Sequence, residues 1–300
     1  MGGGLSPVKK LPLMPTPARA PQPVQHPDPP DLDLFALAAT YGLVGLEPVV
    51  DVVRTLLWTG QIAGERPASA IIVAPIGSGK TSVMEKLKTT TAEFLSDFTS
   101  QNARGIIRND KLSHVMIGDF LSVLGHKTGT VVLSLNLIAK MTGEEILSDP
   151  WTGEPIKPGR KIGVITAIPP DGLVDRKMDK LLWKSGFASR FILIRYHYTE
   201  ETIRRIHEFI ESDAYTRVKP IELEIERGQV AVDIPPSISH NINLLAKSIQ
   251  HDPIGARAHH HLRSLVKARA RMRHDNKANE EDFKAIEIMS GFFTKAGKRI

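Results

Sequence analysis

Apolar residues follow two rhythms along this chain of 300 residues. Ile71-Ile72-Val73, His114-Val115-Met116-Ile117, Ile162-Gly163-Val164-Ile165-Thr166 and Phe191-Ile192-Leu193-Ile194 are short runs with almost no polar alternation. Runs of that length predict strands buried on both faces, the condition of a parallel sheet. Between them the apolar positions recur at helical spacing. Val49, Val50, Val53, Leu56 and Leu57 predict a helix over Glu47–Trp58. A second is predicted from Thr81 to about Leu95, with Val83, Leu87 and Phe94 facing inward, and a third over Thr130–Met141. Two more fall at about Leu173–Lys184 and Thr199–Ser212. Strands alternating with helices predict an α/β fold with a mostly parallel sheet flanked by helices.

The last third reads differently. Ile221–Ile225 and Val230–Val232 flank Arg227-Gly228, which predicts a β-hairpin. Three helical stretches follow, about Ser237–Gln250, Gly255–His274 and Asn279–Ala296, the last opened by Asn279 with Asp282 three residues on. At the other end, Met1 to about Pro30 is Pro-rich and poor in large apolar residues, which predicts a disordered or polyproline-like tail able to recruit a protein partner. Order is expected from Asp31, where Leu32, Leu34, Phe35 and Leu37 suggest a short helix. The expected division is a tail over 1–30, an α/β nucleotide-binding domain over 31–198, and a hairpin plus helical lid over 199–300.

Composition narrows the class. A hydrophobic share of 41% supplies a sizeable core, yet no run of 18 apolar residues offers a membrane span. The chain has no cysteine, which excludes disulfides, thiolate zinc sites and cysteine nucleophiles. Met1-Gly2-Gly3-Gly4-Leu5-Ser6 fits a myristoylation pattern, but no other feature points to a membrane, and a cytoplasmic location is expected. The net charge of +6 leans toward a polyanionic partner. His259-His260-His261 does not predict a metal site, because consecutive helical residues point about 100° apart.

The candidate chemistry begins where the first apolar run ends. Ala74-Pro75-Ile76-Gly77-Ser78-Gly79-Lys80-Thr81-Ser82 fits the phosphate-binding template G-x-x-x-x-G-K-[ST] except for Ala74 in the first glycine place. Gly77 and Gly79 let backbone N–H groups turn toward a phosphate, Lys80 reaches the β- and γ-phosphates, and Thr81 places its hydroxyl on Mg²⁺. The expected ligand is ATP with Mg²⁺. Downstream, His114–Ile117 ends in Gly118-Asp119, where a carboxylate can hold the metal or polarise the attacking water. Two acids usually stand there, and Gly118 occupies one of the places. Asp119 is therefore either the metal-side acid without a neighbouring base or the base without a metal-side acid. Lys157, Arg160 and Lys161 form a basic group before the next strand, which ends in Thr166. Arg257, Arg263, Lys267, Arg269, Arg271 and Arg273 carry no acid among them, a pattern that serves either a polyanion or acids elsewhere in the fold.

In this order the parts resemble the core of an AAA+ ATPase, and more closely that of the minichromosome maintenance (MCM) helicases. Ser189-Arg190-Phe191 looks like that family's Ser-Arg-Phe motif, and Gly255-Ala256-Arg257 with Asn279-Glu280-Glu281-Asp282-Phe283 looks like its lid. The resemblance implies that Arg190 is an arginine finger donated to a neighbouring subunit's nucleotide and that Arg257 is a second sensor. Thr166 would be the first sensor, and a DNA-touching hairpin would fall within Asp149–Lys161. It implies self-assembly into a ring or filament, a hexamer being expected, working on DNA as a helicase or translocase in replication. The family's zinc-bearing N-terminal region has no counterpart, which implies a reduced relative of the kind viruses and mobile elements carry. The single acid of Gly118-Asp119 leaves two alternatives, a DNA-binding regulator or loader and an ATP-dependent assembly protein with weak hydrolysis.

Overall fold

A computed structural model describes residues 42–143, 145–174, 182, 187–212, 221–225, 228–249 and 256–293. The tail, the helix expected near 32–37 and most of the one expected over 173–184 lie outside these residues. The first element among the described residues is helix α1, Glu47–Trp58, with the bounds its apolar stripe predicts. The sheet strands are β1 (Ala70–Val73), β2 (Ala92–Leu95), β3 (His114–Ile117), β4 (Gly163–Ile168) and β5 (Ile192–Arg195). They pair in parallel in the order β2-β3-β4-β1-β5. Helices α2 (Lys80–Lys86), α3 (Ser100–Arg108), α4 (Phe120–Leu124) and α5 (Thr128–Gly143) connect them, and α6 (Glu200–Glu211), α7 (Pro236–Ile249), α8 (Ala256–Met272) and α9 (Glu280–Met289) follow β5.

The period of two along each strand divides the interior into two cores. Ala70, Ile72, Met116, Ile165, Ala167 and Ile194 join α1, α7, α8 and α9 on one face. Ile71, Val73, Val115, Ile117, Val164 and Leu193 join α3 and α5 on the other. Both faces of the three central strands are covered, which is why β1, β3 and β4 are buried at every position and lack the alternation of a half-wet sheet.

Two expectations fail, each for a local reason. The helix expected to reach Leu95 stops at Lys86, and Ala92–Leu95 is the edge strand β2. Thr89, Thr90 and Thr91 interrupt it, since branching at Cβ costs side-chain freedom in a helix. The hairpin expected over 221–232 does not form. Ile221–Glu222 pairs in parallel with Leu87–Lys88, and Val230 bridges to Ile62. Ile221, Ile225 and Val232 each reach the core under α1 and α8 this way, which a hairpin standing alone would not give them.

The cations of α8 are held mainly by acids from other elements. Lys267 and Arg263 lie 2.7 and 2.8 Å from Glu65, Arg269 lies 2.8 Å from Asp51 of α1, and Arg273, just past the end of α8, lies 2.7 Å from Asp282. Asp282 also closes a capping box with Asn279 at the start of α9. Burial works against the charge of Glu65, but hydrogen bonds from Lys267 and Arg263 prevail and hold its carboxyl below the ordinary range. Glu65→Ala leaves the buried Lys267 ammonium without its counter-charge and is expected to lower unfolding free energy by about 3 kcal/mol. Denaturant titration of the two chains measures it, and a change near zero would show that α8 does not depend on this pair.

Candidate functional site

A parallel sheet sends all its carboxyl ends to one edge. The connection leaving β1 runs toward β2 and the one leaving β4 runs past β1 to β5, so the chain diverges between two adjacent strands. The crevice beyond their ends is where ligands of open α/β sheets bind. The glycine-rich loop lies there, directly after Val73. Gly77 and Gly79 both take φ of +77°, a left-handed turn that side chains resist. A Cβ on Gly79 would also stand 2.7 Å from Leu46 Cδ1.

The loop closes on the ammonium of Lys80. Its Nζ donates to the carbonyls of Ala74 and Pro75 at 2.7 and 2.6 Å and lies 3.4 Å from Ser78 Oγ. Burial lowers the Lys80 pKa, and the nearby Asp119 carboxylate opposes that shift. Pro75, Ile76 and Gly77 are exposed, while Ser78 is buried. Thr81 Oγ1 donates to the Gly118 carbonyl at 2.9 Å, tying α2 to the end of β3. Asp119 is exposed at the start of α4, where its Oδ1 accepts from Leu121 N at 2.9 Å. Lys80, Thr81 and Asp119, from two non-adjacent strands, therefore meet at one place.

Gly118 is fitted to its surroundings. A Cβ there would stand 2.9 Å from the Phe94 ring and 3.2 Å from Thr81 Cγ2. Phe94, on β2, fills the space a second acid would need. Thr166 sits two residues short of the end of β4, fully buried, with its hydroxyl donated to the Ile117 carbonyl at 3.1 Å. It braces the acid-bearing strand from within the sheet.

Arg190 and Arg257 lie elsewhere. Arg190 precedes β5, Lys161 precedes β4 and Arg66 precedes β1, so all three stand at the amino edge of the sheet. At about 3.3 Å per residue, that edge is roughly 15–20 Å from the glycine-rich loop. With Arg257 and Arg263 of α8 they line a cavity of about 490 Å³, in which Glu65 is the only acid. Arg66 donates to the Gly143 carbonyl at the end of α5, and Arg257 to Ser189 Oγ. His259, His260 and His261 also line the cavity, and burial pushes His261 down to about 4. Among the described residues no group of three His, Asp or Glu side chains is placed to hold a metal ion.

A hairpin forms from strands Ile146–Ser148 and Pro155–Arg160 paired antiparallel, its first strand lying before the span 149–161 in which it is expected. Its connecting loop is held by Asp149, which accepts from Trp151 N at 2.8 Å and lies 2.6 Å from the Arg108 guanidinium of α3. The DNA-contacting role expected of Arg160 is corrected. Its side chain is buried and donates to the Leu112 carbonyl, which commits the guanidinium to the fold. Lys161 faces the cationic cavity. For Lys157 the structure describes the backbone position in the hairpin alone.

Residues absent from the sequence reading also reach the loop. Tyr196 and Tyr198, just past β5, both donate their hydroxyls to the Ser78 carbonyl. Their spacing of two beyond a buried strand was the available signal. The chain matches no family model and no curated protein. No described helix is long and apolar enough to cross a membrane.

Arg160→Ala is expected to lower unfolding free energy by about 2 kcal/mol, by leaving a buried carbonyl unpaired, with DNA affinity unchanged at matched ionic strength. Parallel denaturation and fluorescence-anisotropy titrations check both arms. Lost DNA affinity at unchanged stability would place the guanidinium outside the fold.

Proposed function

We propose that this chain is a P-loop ATPase of the AAA+ kind, in which each nucleotide site is completed by a second copy of the chain. The observation that carries the reading is the meeting of Lys80, Thr81 and Asp119 beyond β1 and β3, beside a loop of the phosphate-binding pattern. In this reading the backbone N–H groups of 77–81 surround the β- and γ-phosphates, and Lys80 exchanges its loop carbonyls for phosphate oxygens. The Thr81 hydroxyl and the Asp119 carboxylate are hard oxygen donors of the type Mg²⁺ takes, and Thr81 bonds the carbonyl of Gly118, the residue before Asp119. Mg²⁺ there would neutralise charge on the phosphates. Asp119 acts on the metal side, because its neighbour in the chain carbonyl-bonds Thr81.

Arg190 and Arg257 line one cavity at the far edge, which supports a shared role toward another copy's phosphates and not toward the loop of their own chain. Head-to-tail contacts of that kind are heterologous and give a ring where the rotation closes, a hexamer being the expected one, and a filament where it does not. The net charge of +6 supports DNA as the polymer engaged, with ATP binding and hydrolysis driving a helicase or translocase cycle. A second reading is favoured by Gly118. With Phe94 in the space of a second acid, hydrolysis is slow, and ATP serves mainly to assemble the protein on DNA as a regulator or loader.

Mixing two inactive variants tests the shared site. Lys80→Ala is expected to abolish ATP binding, and Arg190→Ala to retain it while lowering turnover by at least about a hundredfold. Mixed in equal amounts, the two should recover part of the wild-type rate, because each lacks a different half. Turnover that stays at the sum of the separate rates would rule out completion in trans. Bound ATP in Lys80→Ala would remove the nucleotide reading itself.

A further inference from the structure

Two tyrosine hydroxyls converge on one carbonyl of the glycine-rich loop. Tyr196 Oη lies 2.7 Å from Ser78 O and 3.4 Å from Ser78 Oγ, and Tyr198 Oη lies 2.6 Å from the same carbonyl. The rings stand 6.1 Å apart at 50°, Tyr196 buried and Tyr198 half-buried. Burial pushes both phenols up, Tyr198 to about 12, so both are protonated donors throughout the working range of pH. A carbonyl has two lone pairs, and here both are used.

That carbonyl belongs to the Ser78–Gly79 peptide. In a trans peptide the C=O and the following N–H point in opposite directions. With Ser78 O held on the tyrosine side, the Gly79 N–H is turned away from the tyrosines. Gly79 cannot fix this orientation by itself. It has φ of +77°, and glycine reaches negative φ as readily, so the peptide can turn over with little steric penalty. Ser78 N is already donated to the Pro75 carbonyl at 3.3 Å, which leaves the Ser78–Gly79 peptide as the adjustable one. The two hydroxyls supply the constraint that the glycine lacks.

We infer that Tyr196 and Tyr198 are positioning residues, which hold the Gly79 N–H toward the phosphates and so pre-order the loop for a nucleoside di- or triphosphate. This rests on the reading that the loop binds phosphate. The same two residues tie the loop to β5, the strand that begins just after Arg190. One strand thus has its amino end at the cationic cavity and its carboxyl end on the loop. A displacement of β5 by a second copy's phosphates would be felt at Ser78.

The experiment uses the full chain and its Tyr196→Phe, Tyr198→Phe and double variants, which keep the rings and remove only the hydroxyls. Calorimetric affinities for ATP, ADP and tripolyphosphate are measured with Mg²⁺, and turnover is followed at saturating ATP. Expected is a loss of about threefold for each single variant and about tenfold for the double one, the scale of one to two net hydrogen bonds. The loss should be equal for all three ligands, and the rate at saturation should stay within about twofold. A role confined to packing would move the melting temperature without this split between affinity and rate. If the wild type binds and the double variant binds equally well, the inference falls while the nucleotide reading stands. If the wild type binds none of the three, both fall. Should the double variant aggregate, Tyr198→Phe alone decides the matter, an undiminished affinity overturning the inference.

Discussion

Parallel strands cannot bring their two ends together. Everything that follows β1 and β3 sits at one edge, and everything that precedes β1, β4 and β5 sits at the other, with the strand length between. The glycine-rich loop, Lys80, Thr81 and Asp119 belong to the first edge, and Arg66, Lys161, Arg190 and the start of α8 to the second. The second edge holds a cavity lined by five Lys and Arg side chains, of which Arg263 pairs with Glu65, Arg66 donates to the Gly143 carbonyl and Arg257 donates to Ser189 Oγ. The separation thus turns a question about one chain into a question about two. The reading under which both edges have work is one where copies stack edge to edge.

The two cores make that geometry stiff. β1 is buried on both faces, so the loop that leaves it departs from a fixed point, while α1 and α8 clamp the same layer through Asp51–Arg269 and Glu65–Lys267. These ion pairs also change how α8 is understood. Its density of positive charge looks like a polyanion surface in the sequence, but three of its cations, and Arg273 just past its end, are matched by acids from α1, the segment before β1, and α9. Arg257, at the end nearest the cavity, is the one whose hydrogen bond goes to a serine of the Ser-Arg-Phe segment.

Much of this was legible beforehand because it is local. The helix Glu47–Trp58 follows from one apolar stripe, and four of the five strands follow from uninterrupted apolar runs. β2 was not legible, since Ala92-Glu93-Phe94-Leu95 carries the mixed pattern of an edge strand and follows a real helix start. The hairpin over 221–232 was misjudged because pairing partners distant in sequence, Leu87 and Ile62, outcompete the near ones. In the site, Lys80, Thr81 and Asp119 were visible through spacing. Arg160 falls in the basic group of the expected DNA-touching hairpin, because nothing local reveals that its guanidinium goes to the Leu112 carbonyl. The tyrosine pair on Ser78 spans 118 and 120 residues and could be found only once β5 was seen beside β1.

The account stands or falls on where a bound triphosphate is touched. An electron-microscopy or crystal structure of the chain with Mg²⁺ and a non-hydrolysable ATP analogue places those contacts directly. The expected map has the phosphates against the N–H groups of 77–81 and Lys80 of one copy, with Arg190 of a second copy reaching the γ-phosphate. A nucleotide seated away from the loop, or one whose γ-phosphate meets no residue of another copy, would contradict it.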